Sequence, residues 1–199
     1  ADAYNLLGIS YFLQENLRRA EEYFLRAVSL RKDYSAAYNN LGNVHFVQGN
    51  LDAAREDFRN ALHISPDSAA ANYSLAMLLF SQGKHEEGMT YLSRGIALEP
   101  NFLEQDRKFT AGIAQAGLTS TETYYSWAKV YALQDNPAKA VEFLQKAKEA
   151  GFRNRKRLEE DKDFDKIRSN PEFQLFLQDL EPNPRLQSLS GAAAGALFF

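Results

Sequence analysis

The stretch YNLLGISY at residues 4–11 returns as YNNLGNVH at residues 38–45. A second pattern returns at the same offset: Ala20, Phe24 and Ala27 recur as Ala54, Phe58 and Ala61. A looser third copy runs from Asn72 to Pro100. A period of about 34 residues marks one supersecondary unit that stacks on its own copies, so the repeat decides the fold.

The spacing inside each copy predicts two helices. The apolar positions of the first helix fall at i, i+3, i+4 and i+7, which is one helical face: Tyr4, Leu7, Gly8 and Tyr11. Turn-forming pairs separate the two helices of each copy: Glu15–Asn16, Gly49–Asn50 and Gly83–Lys84. Small residues alternate with rings because helices approach closely only where a small residue accepts a ring, and Gly42 and Ala54 are predicted to form such a seat for Tyr38 and Phe58. Each copy is therefore predicted to be a helical hairpin.

These residues resemble the signature of the tetratricopeptide repeat family, which places an aromatic residue, Leu-Gly, Tyr, Ala, Phe, Ala and Pro at such spacings. The resemblance implies an all-α fold, a right-handed α-α superhelix (α-solenoid) of stacked helical hairpins that binds proteins. In the third copy Gly88 and Gly95 replace two alanines, which predicts looser packing there. The resemblance resumes after an interruption at Tyr124, Trp127, Ala128, Tyr131, Ala140, Leu144 and Ala147.

The interruption and the ending set the predicted domain organisation. The segments are repeats at 1–34 and 35–68, a degenerate repeat at 69–102, an inserted helix or linker at 103–120, a repeat-like unit at 121–154, a C-terminal helical cap at 155–181, and a flexible tail with an apolar end at 182–199. One extra helix predicts a kink between the third and fourth units, with Thr119 and Glu122 as a capping box for the next helix. The ending resembles those of bacterial tetratricopeptide proteins and would cover the last exposed apolar face.

Composition and motifs argue against catalysis. The net charge of -3 does not provide the broad positive field that nucleic-acid binding needs. There is no cysteine, and no two of the three histidines have the i, i+4 spacing of a metal site. A phosphate loop and a nucleophile elbow are also missing, and the basic run at residues 153–157 is followed by acidic residues. We therefore expect no enzyme activity, cofactor or metal, and a cytoplasmic location.

The first helix of every hairpin is expected to line the inner curve of such a stack, where side chains flanking the core stripe face a groove. These predicted partner-binding residues are Asn5, Ile9, Phe12, Leu13, Asn39, Asn40, Asn43, Phe46, Val47, Tyr73, Met77, Phe80, Tyr125 and Lys129. Phe12, Phe46 and Phe80 are spaced by the period of the repeat and predict a ladder of rings along the groove; the alternative is that these rings pack between neighbouring repeats and meet no ligand. The expected partner is a protein or peptide, either an amphipathic helix or an apolar C-terminal segment.

Two functions of the family do not fit these residues. Co-chaperone members clamp a terminal carboxylate with lysines, an arginine and asparagines; the matching positions here are Asn5, Ile9, Asn40, Ala70 and Ser74. The cations are missing, so this function is rejected. The asparagine ladder of O-GlcNAc transferase repeats is also absent, because Asn40 is preceded one period earlier by Leu6 and followed by Ser74.

Two hypotheses of function remain open. The first is an independent adaptor that gathers protein partners. The second is an accessory region of a larger enzyme or membrane-anchored protein, suggested by a first residue, Ala1, that is not Met and stands in phase with the repeat, so that further repeats are expected before it. The apolar residues 191–199 are predicted to occupy the groove of the same chain or of a neighbouring chain, where they would promote self-association. The alternatives are a disordered end or a membrane anchor that is cut short.

Overall fold

The computed structural model describes residues 1–100, 102 and 120–180, and every regular element within them is helical. The chain divides into two compact units, Ala1–Ser126 and Trp127–Phe199. The helix and kink predicted for residues 103–120 lie outside the described residues except for Ser120, and so does the predicted tail at residues 182–199. The domain boundaries given above stay predictions.

Three helical hairpins form the described part of the first unit. Their helices are α1 (Asp2–Leu13) with α2 (Leu17–Leu30), α3 (Ser35–Val47) with α4 (Leu51–Ile64), and α5 (Ala69–Ser81) with α6 (His85–Leu98). Each helix packs against the next one along the chain, and α3 also contacts both α1 and α5. The second helices of successive hairpins contact each other less than the first helices do. We therefore call the first helices, α1, α3 and α5, the inner row of the stack.

The turns inside the hairpins use left-handed backbone, as the sequence predicts. Gly49 and Gly83 have φ angles of 82° and 71°, and Glu15 occupies the same place in the first hairpin with a φ of 59°. Such angles suit glycine, whereas a glutamate adopts them at some cost. The Asn16 side chain then accepts a hydrogen bond from the Arg19 amide and caps α2.

The first two hairpins are closed by a phenylalanine of the second helix that lies over a glycine of the first. A Cβ atom added at Gly8 would lie 2.5 Å from the Phe24 ring, and one added at Gly42 would lie 2.5 Å from the Phe58 ring. No side chain larger than a hydrogen atom fits at these two positions without displacing the ring. The part of the prediction that seats Phe58 at Gly42 is therefore confirmed, whereas Tyr38 packs against the cluster of Ala27, Val28 and Ala37.

The third hairpin reverses this arrangement, and the prediction of looser packing there is wrong. Its glycines lie on the second helix, and the rings come from the first. A Cβ atom at Gly88 would lie 2.7 Å from the Phe80 ring, and one at Gly95 would lie 3.1 Å from the Tyr73 ring. The rings fill the space that the two missing methyl groups leave, so volume is conserved across the helix pair.

The second unit contains the end of a fourth hairpin and a short helical ending. Its elements are α7 (Thr121–Leu133), whose first turns belong to the first unit, α8 (Pro137–Glu149), α9 (Arg155–Glu160), a 3-10 helix (Lys162–Ile167) and α10 (Pro171–Asp179). At the start of α7 the Ser120 hydroxyl accepts a hydrogen bond from the Thr123 amide. Thr119 of the predicted capping box lies outside the described residues. In the ending, Phe164 and Phe173 are buried and stack at 5.6 Å.

The ring-on-glycine contact predicts a double-mutant cycle. Gly42→Ala should lower the free energy of unfolding by about 1–3 kcal/mol, because the clash with Phe58 outweighs the roughly 1 kcal/mol gain in helix propensity. Phe58→Leu should remove the clash, because Ala76 and Leu92 occupy the same two positions in the third hairpin and are both buried. Chemical denaturation of both single variants and the double variant should show a favourable coupling of about 1 kcal/mol; strictly additive losses would contradict this.

Candidate functional site

The three inner helices carry almost no charge. Across α1, α3 and α5 the only formally charged side chain is Asp2, and the only other titratable side chain besides the tyrosines is His45. Arg31 pairs with the Asp2 carboxylate at 2.5 Å. The hydrogen bond from Arg31, assisted by one from Tyr34, lowers the pKa of Asp2 below its ordinary value. The inner surface of the first three hairpins is therefore effectively neutral.

Apolar side chains of the first two hairpins remain partly accessible on this surface. Phe12 packs against the cluster that contains Phe24 and Leu41, and Phe46 packs against the cluster that contains Phe58 and Leu75. Both rings thus lie at a junction between hairpins and keep part of their area exposed. The same neighbourhood includes the half-buried Ile9 and Val47 and the exposed Leu13. These residues can contribute apolar area to a partner.

Amides join the inner helices to one another. The Asn40 Nδ2 group donates to Asn5 Oδ1 at 3.0 Å, and the Ser74 hydroxyl donates to Asn43 Oδ1 at 3.2 Å. Asn39 is buried, and its Oδ1 atom has no hydrogen-bond partner among the described residues. The first two contacts fix the orientation of the amides, whereas Asn39 retains an unsatisfied acceptor, which is costly in a buried place.

Six of the residues expected in the groove are buried in this structure, namely the amides Asn5 and Asn39 and four large side chains. Tyr73 and Phe80 lie over the two glycines of α6, Met77 between them is 1% exposed, and Tyr125 is equally inaccessible. The three phenylalanines that share the period of the repeat are therefore not equivalent, because Phe80 is part of the hairpin core. The accessible part of the predicted groove is confined to the first two hairpins.

Lys129, also expected to bind a partner, holds the C-terminal ending instead. Its Nζ atom lies 2.7 Å from the Asp163 carboxylate and 3.7 Å from that of Asp161, within the second unit. The side chain is largely buried, so the ion pair is shielded from solvent and fastens the ending to α7. Sequence reasoning missed this role because the partners lie much further along the chain, beyond the end of the fourth hairpin.

Sequence reasoning also missed a set of glutamines at the junctions between hairpins. Gln14, Gln48 and Gln82 recur with the period of the repeat. The Gln48 Nε2 group donates to Glu21 of the preceding hairpin at 3.0 Å, and Gln82 accepts a hydrogen bond from Arg55 of its preceding hairpin. Their spacing by one repeat period is the sequence pattern from which these glutamines could have been predicted.

Comparison with known proteins agrees with these features. The family model described as "Tetratricopeptide repeat" matches residues 5–69 and 39–101. Residues 5–101 of this chain belong to the tetratricopeptide repeat family. Among curated proteins no sequence matches the chain.

Several solved structures resemble this chain. MamA is 22% identical with a TM-score of 0.51, over 75% of this chain and 77% of its own. The Thermobaculum terrenum O-GlcNAc transferase is 20% identical with a TM-score of 0.54, over 72% of this chain and 25% of its own. The tetratricopeptide protein YrrB is 22% identical with a TM-score of 0.48, over 74% of this chain and 84% of its own. At these identities the likeness shows the fold alone.

The second tetratricopeptide hairpin contains a titratable pair where its neighbour has stacked rings. In the first hairpin Tyr11 and Tyr23 stack at 5.3 Å. The equivalent residues of the second are His45 and Asp57, with 2.7 Å between Nδ1 and Oδ2. Burial raises the pKa of Asp57, against the opposing effect of the His45 hydrogen bond. Glu21 of the preceding hairpin lies 3.7 Å from the other ring nitrogen.

The remaining chemistry of the tetratricopeptide hairpins is limited. Within residues 1–100, 102 and 120–180, no group of three or more His, Asp or Glu side chains is arranged to hold a metal ion. No helix in that part of the chain has both the length and the apolar character needed to cross a bilayer. Near residues 153–157, Arg155 pairs with Glu159 at 2.9 Å, so part of the basic run is neutralised on its own helix.

Asp57→Asn should change how stability depends on pH. The folded-state pKa of Asp57 lies above its ordinary value of 3.8, so the folded state binds this proton more tightly than the unfolded state does. The resulting contribution to the free energy of unfolding is fully present below pH 3.8 and is lost as the pH rises through the folded-state pKa. An amide does not titrate, so the free energy of unfolding of the variant minus that of the parent should grow with pH. In a His45→Phe background this growth should be larger, because phenylalanine has no donor to replace the opposing hydrogen bond. Denaturation curves between acid and neutral pH measure this difference in both backgrounds. A difference that does not change with pH would show that burial does not raise the pKa of Asp57.

Proposed function

We propose that this chain is a non-catalytic tetratricopeptide scaffold that binds a protein partner along the inner face of its first two hairpins. The proposal rests on one observation: apolar side chains remain accessible on helices that otherwise carry no unpaired charge. We name this set the inner patch, and it consists of Ile9, Phe12, Leu13, Asn40, Asn43, Phe46 and Val47. The family membership of residues 5–101 supports a role in protein interaction.

The chemistry of the inner patch favours an uncharged partner segment. A charged segment would lose hydration against an apolar surface and find no opposite charge there, because Asp2 is already paired with Arg31. Amides such as Asn43 offer hydrogen bonds to the backbone or amides of a peptide, and the apolar side chains cover its hydrophobic residues. The partner is therefore an apolar peptide or the apolar face of an amphipathic helix.

The alternative is an accessory region of a larger enzyme or membrane-anchored protein. The likeness to an O-GlcNAc transferase does not favour a transferase, because this chain spans a quarter of that protein's length and lacks the asparagine ladder. Leu6 and Ser74 stand where the ladder would require amides on either side of Asn40. The inner patch would have the same binding chemistry in either setting.

The chain itself contains a segment with the chemistry that the inner patch favours. Residues 186–199 include no charged side chain and end in Leu197, Phe198 and Phe199. We propose, as a finer hypothesis, that this segment binds the inner patch of a second copy. Such a contact is head-to-tail and would propagate unless the rotation closes a ring.

Substitution of two leucines that are equally exposed tests the inner patch. Leu13 and Leu25 are 46% and 47% exposed, but Leu13 ends α1 on the inner row and Leu25 lies on α2. Peptides selected for the parent from a random library should lose about tenfold or more in affinity for Leu13→Glu and change little for Leu25→Glu. The affinity of the selected peptides for the parent chain should also change little between about 50 and about 500 mM salt, since no charge pair forms between peptide and chain. Equal losses for the two variants, or a steep salt dependence, would contradict the proposal.

The tail hypothesis has its own test. A synthetic peptide of residues 186–199 should bind the chain that ends at residue 181, and Leu13→Glu should weaken that binding as it does for the selected peptides. Light scattering over a range of concentrations should show a mass above the monomer for the full chain and a monomer after deletion of residues 191–199. A full chain that stays monomeric throughout would exclude self-association through the tail and leave the binding of other peptides unaffected.

A further inference from the structure

The junction between the first two hairpins contains a titratable cluster. His45 of α3 lies between two carboxylates, Asp57 of its own hairpin and Glu21 of α2 in the preceding hairpin. The His45 and Asp57 side chains are 15% and 12% exposed, and that of Glu21 is 34% exposed. Gln48 donates a hydrogen bond to the other oxygen of Glu21 at 3.0 Å, which holds this carboxylate beside the ring. The cluster therefore has a defined geometry and limited contact with water.

The charged groups that contact His45 are both carboxylates. Glu56 of α4 adds a third negative charge nearby: burial raises the pKa of Asp57, and Glu56 and Glu21 raise it further. From the other two inner helices, α1 and α5 add only tyrosines and the Asp2 carboxylate, which pairs with Arg31. The arginines of α2 and α4 are exposed or bond other side chains: Arg18 and Arg59 are exposed, Arg19 bonds Tyr11, Arg26 pairs with Glu22, and Arg55 bonds Gln82.

The number of protons on the His45–Asp57 pair decides how His45 meets Glu21. The 2.7 Å contact between His45 Nδ1 and Asp57 Oδ2 requires one proton between these atoms. With this proton alone, Nε2 is a bare acceptor that lies 3.7 Å from another acceptor, the Glu21 carboxylate. A second proton on the pair leaves a hydrogen on Nε2, whether the imidazole is charged or the carboxyl group is protonated and donates to Nδ1. The second proton thus turns a contact between two acceptors into an attraction across the junction.

We propose that uptake of a second proton by the His45–Asp57 pair tightens the junction between the first two hairpins, so that they stack more firmly at about pH 5.5 than at about pH 8. The stacked state binds this proton more tightly than the opened state does, so the gain is present at the lower pH and is lost as the pH rises. The consequence for binding rests on the proposed function. Phe12 of the inner patch packs against Phe24 and Leu41 at this junction, so peptide affinity should rise with the same proton.

Hydrogen exchange tests the junction without any partner. Protection of the α1 and α2 amides, corrected for the intrinsic effect of pH on exchange and compared with α8, should fall about fivefold or more between about pH 5.5 and about pH 8. The matched control is His45→Leu with Asp57→Tyr, because Leu79 and Tyr91 occupy the same two places at the next junction. Its protection should not change with pH. Glu21→Gln should also abolish the change, since an amide donates to a bare Nε2 and accepts from a protonated one.

Nitrogen NMR of the parent chain observes the proton itself. His45 Nε2 should carry a hydrogen at about pH 5.5 and none at about pH 8. The proposal is overturned if Nε2 is protonated at both pH values, if protection is the same at both, or if its pH dependence persists in the control or in Glu21→Gln.

Peptide binding is a separate arm of the test. Peptides selected for the inner patch should bind about fivefold more tightly at the lower pH and equally at both pH values to the control. An affinity that does not follow the pH overturns the link between the junction and the inner patch. Failure to select any peptide would count against the proposed function instead, because the exchange and NMR measurements involve no peptide.

Discussion

In the first three hairpins the paired helices approach closely because a ring of one helix lies over a glycine of the other. Phe24 over Gly8 and Phe58 over Gly42 leave no room for a methyl group. The close approach buries the small residues of the second helix completely, among them Ala20 and Ala54. Those buried alanines in turn form the surface on which the following hairpin packs, so the stacking of hairpins depends on the contact inside each one.

Which helix supplies the ring decides how much of the inner face stays accessible. When α2 and α4 supply it, the positions equivalent to Tyr73 hold the buried amides Asn5 and Asn39, and Phe12 and Phe46 stay partly accessible. When α5 supplies it, Tyr73 moves into the hairpin and lies over Gly95, and its ring is no longer available to a partner. Packing inside the third hairpin therefore limits the inner patch to the first two, although the sequence period continues through all three.

The hairpins and their turns could be predicted from the sequence because each depends on residues close together in a periodic pattern. Glu15 could be assigned a left-handed turn only because glycines occupy the same place one and two periods later. The reversal in the third hairpin was not predicted, because Gly88 and Gly95 indicate lost volume until the rings across the pair are known. The candidate site was less predictable, since a periodic position gives the side of a helix and not its accessibility. Lys129 pairs with Asp163, in a later segment that the repeat pattern does not describe.

The junctions between hairpins combine a constant apolar contact with a variable polar one. The alanine and phenylalanine stripe is the same in α2 and α4, so by itself it would let hairpins stack in any order. The polar residue beside it changes from Glu21 to Arg55, yet the residue opposite stays a glutamine. An amide side chain can do this because its nitrogen donates to a carboxylate and its oxygen accepts from a guanidinium. Glutamine at this place therefore tolerates either charge, and other contacts differ between the two junctions, such as His45 with Glu21 and Ser74 with Asn43.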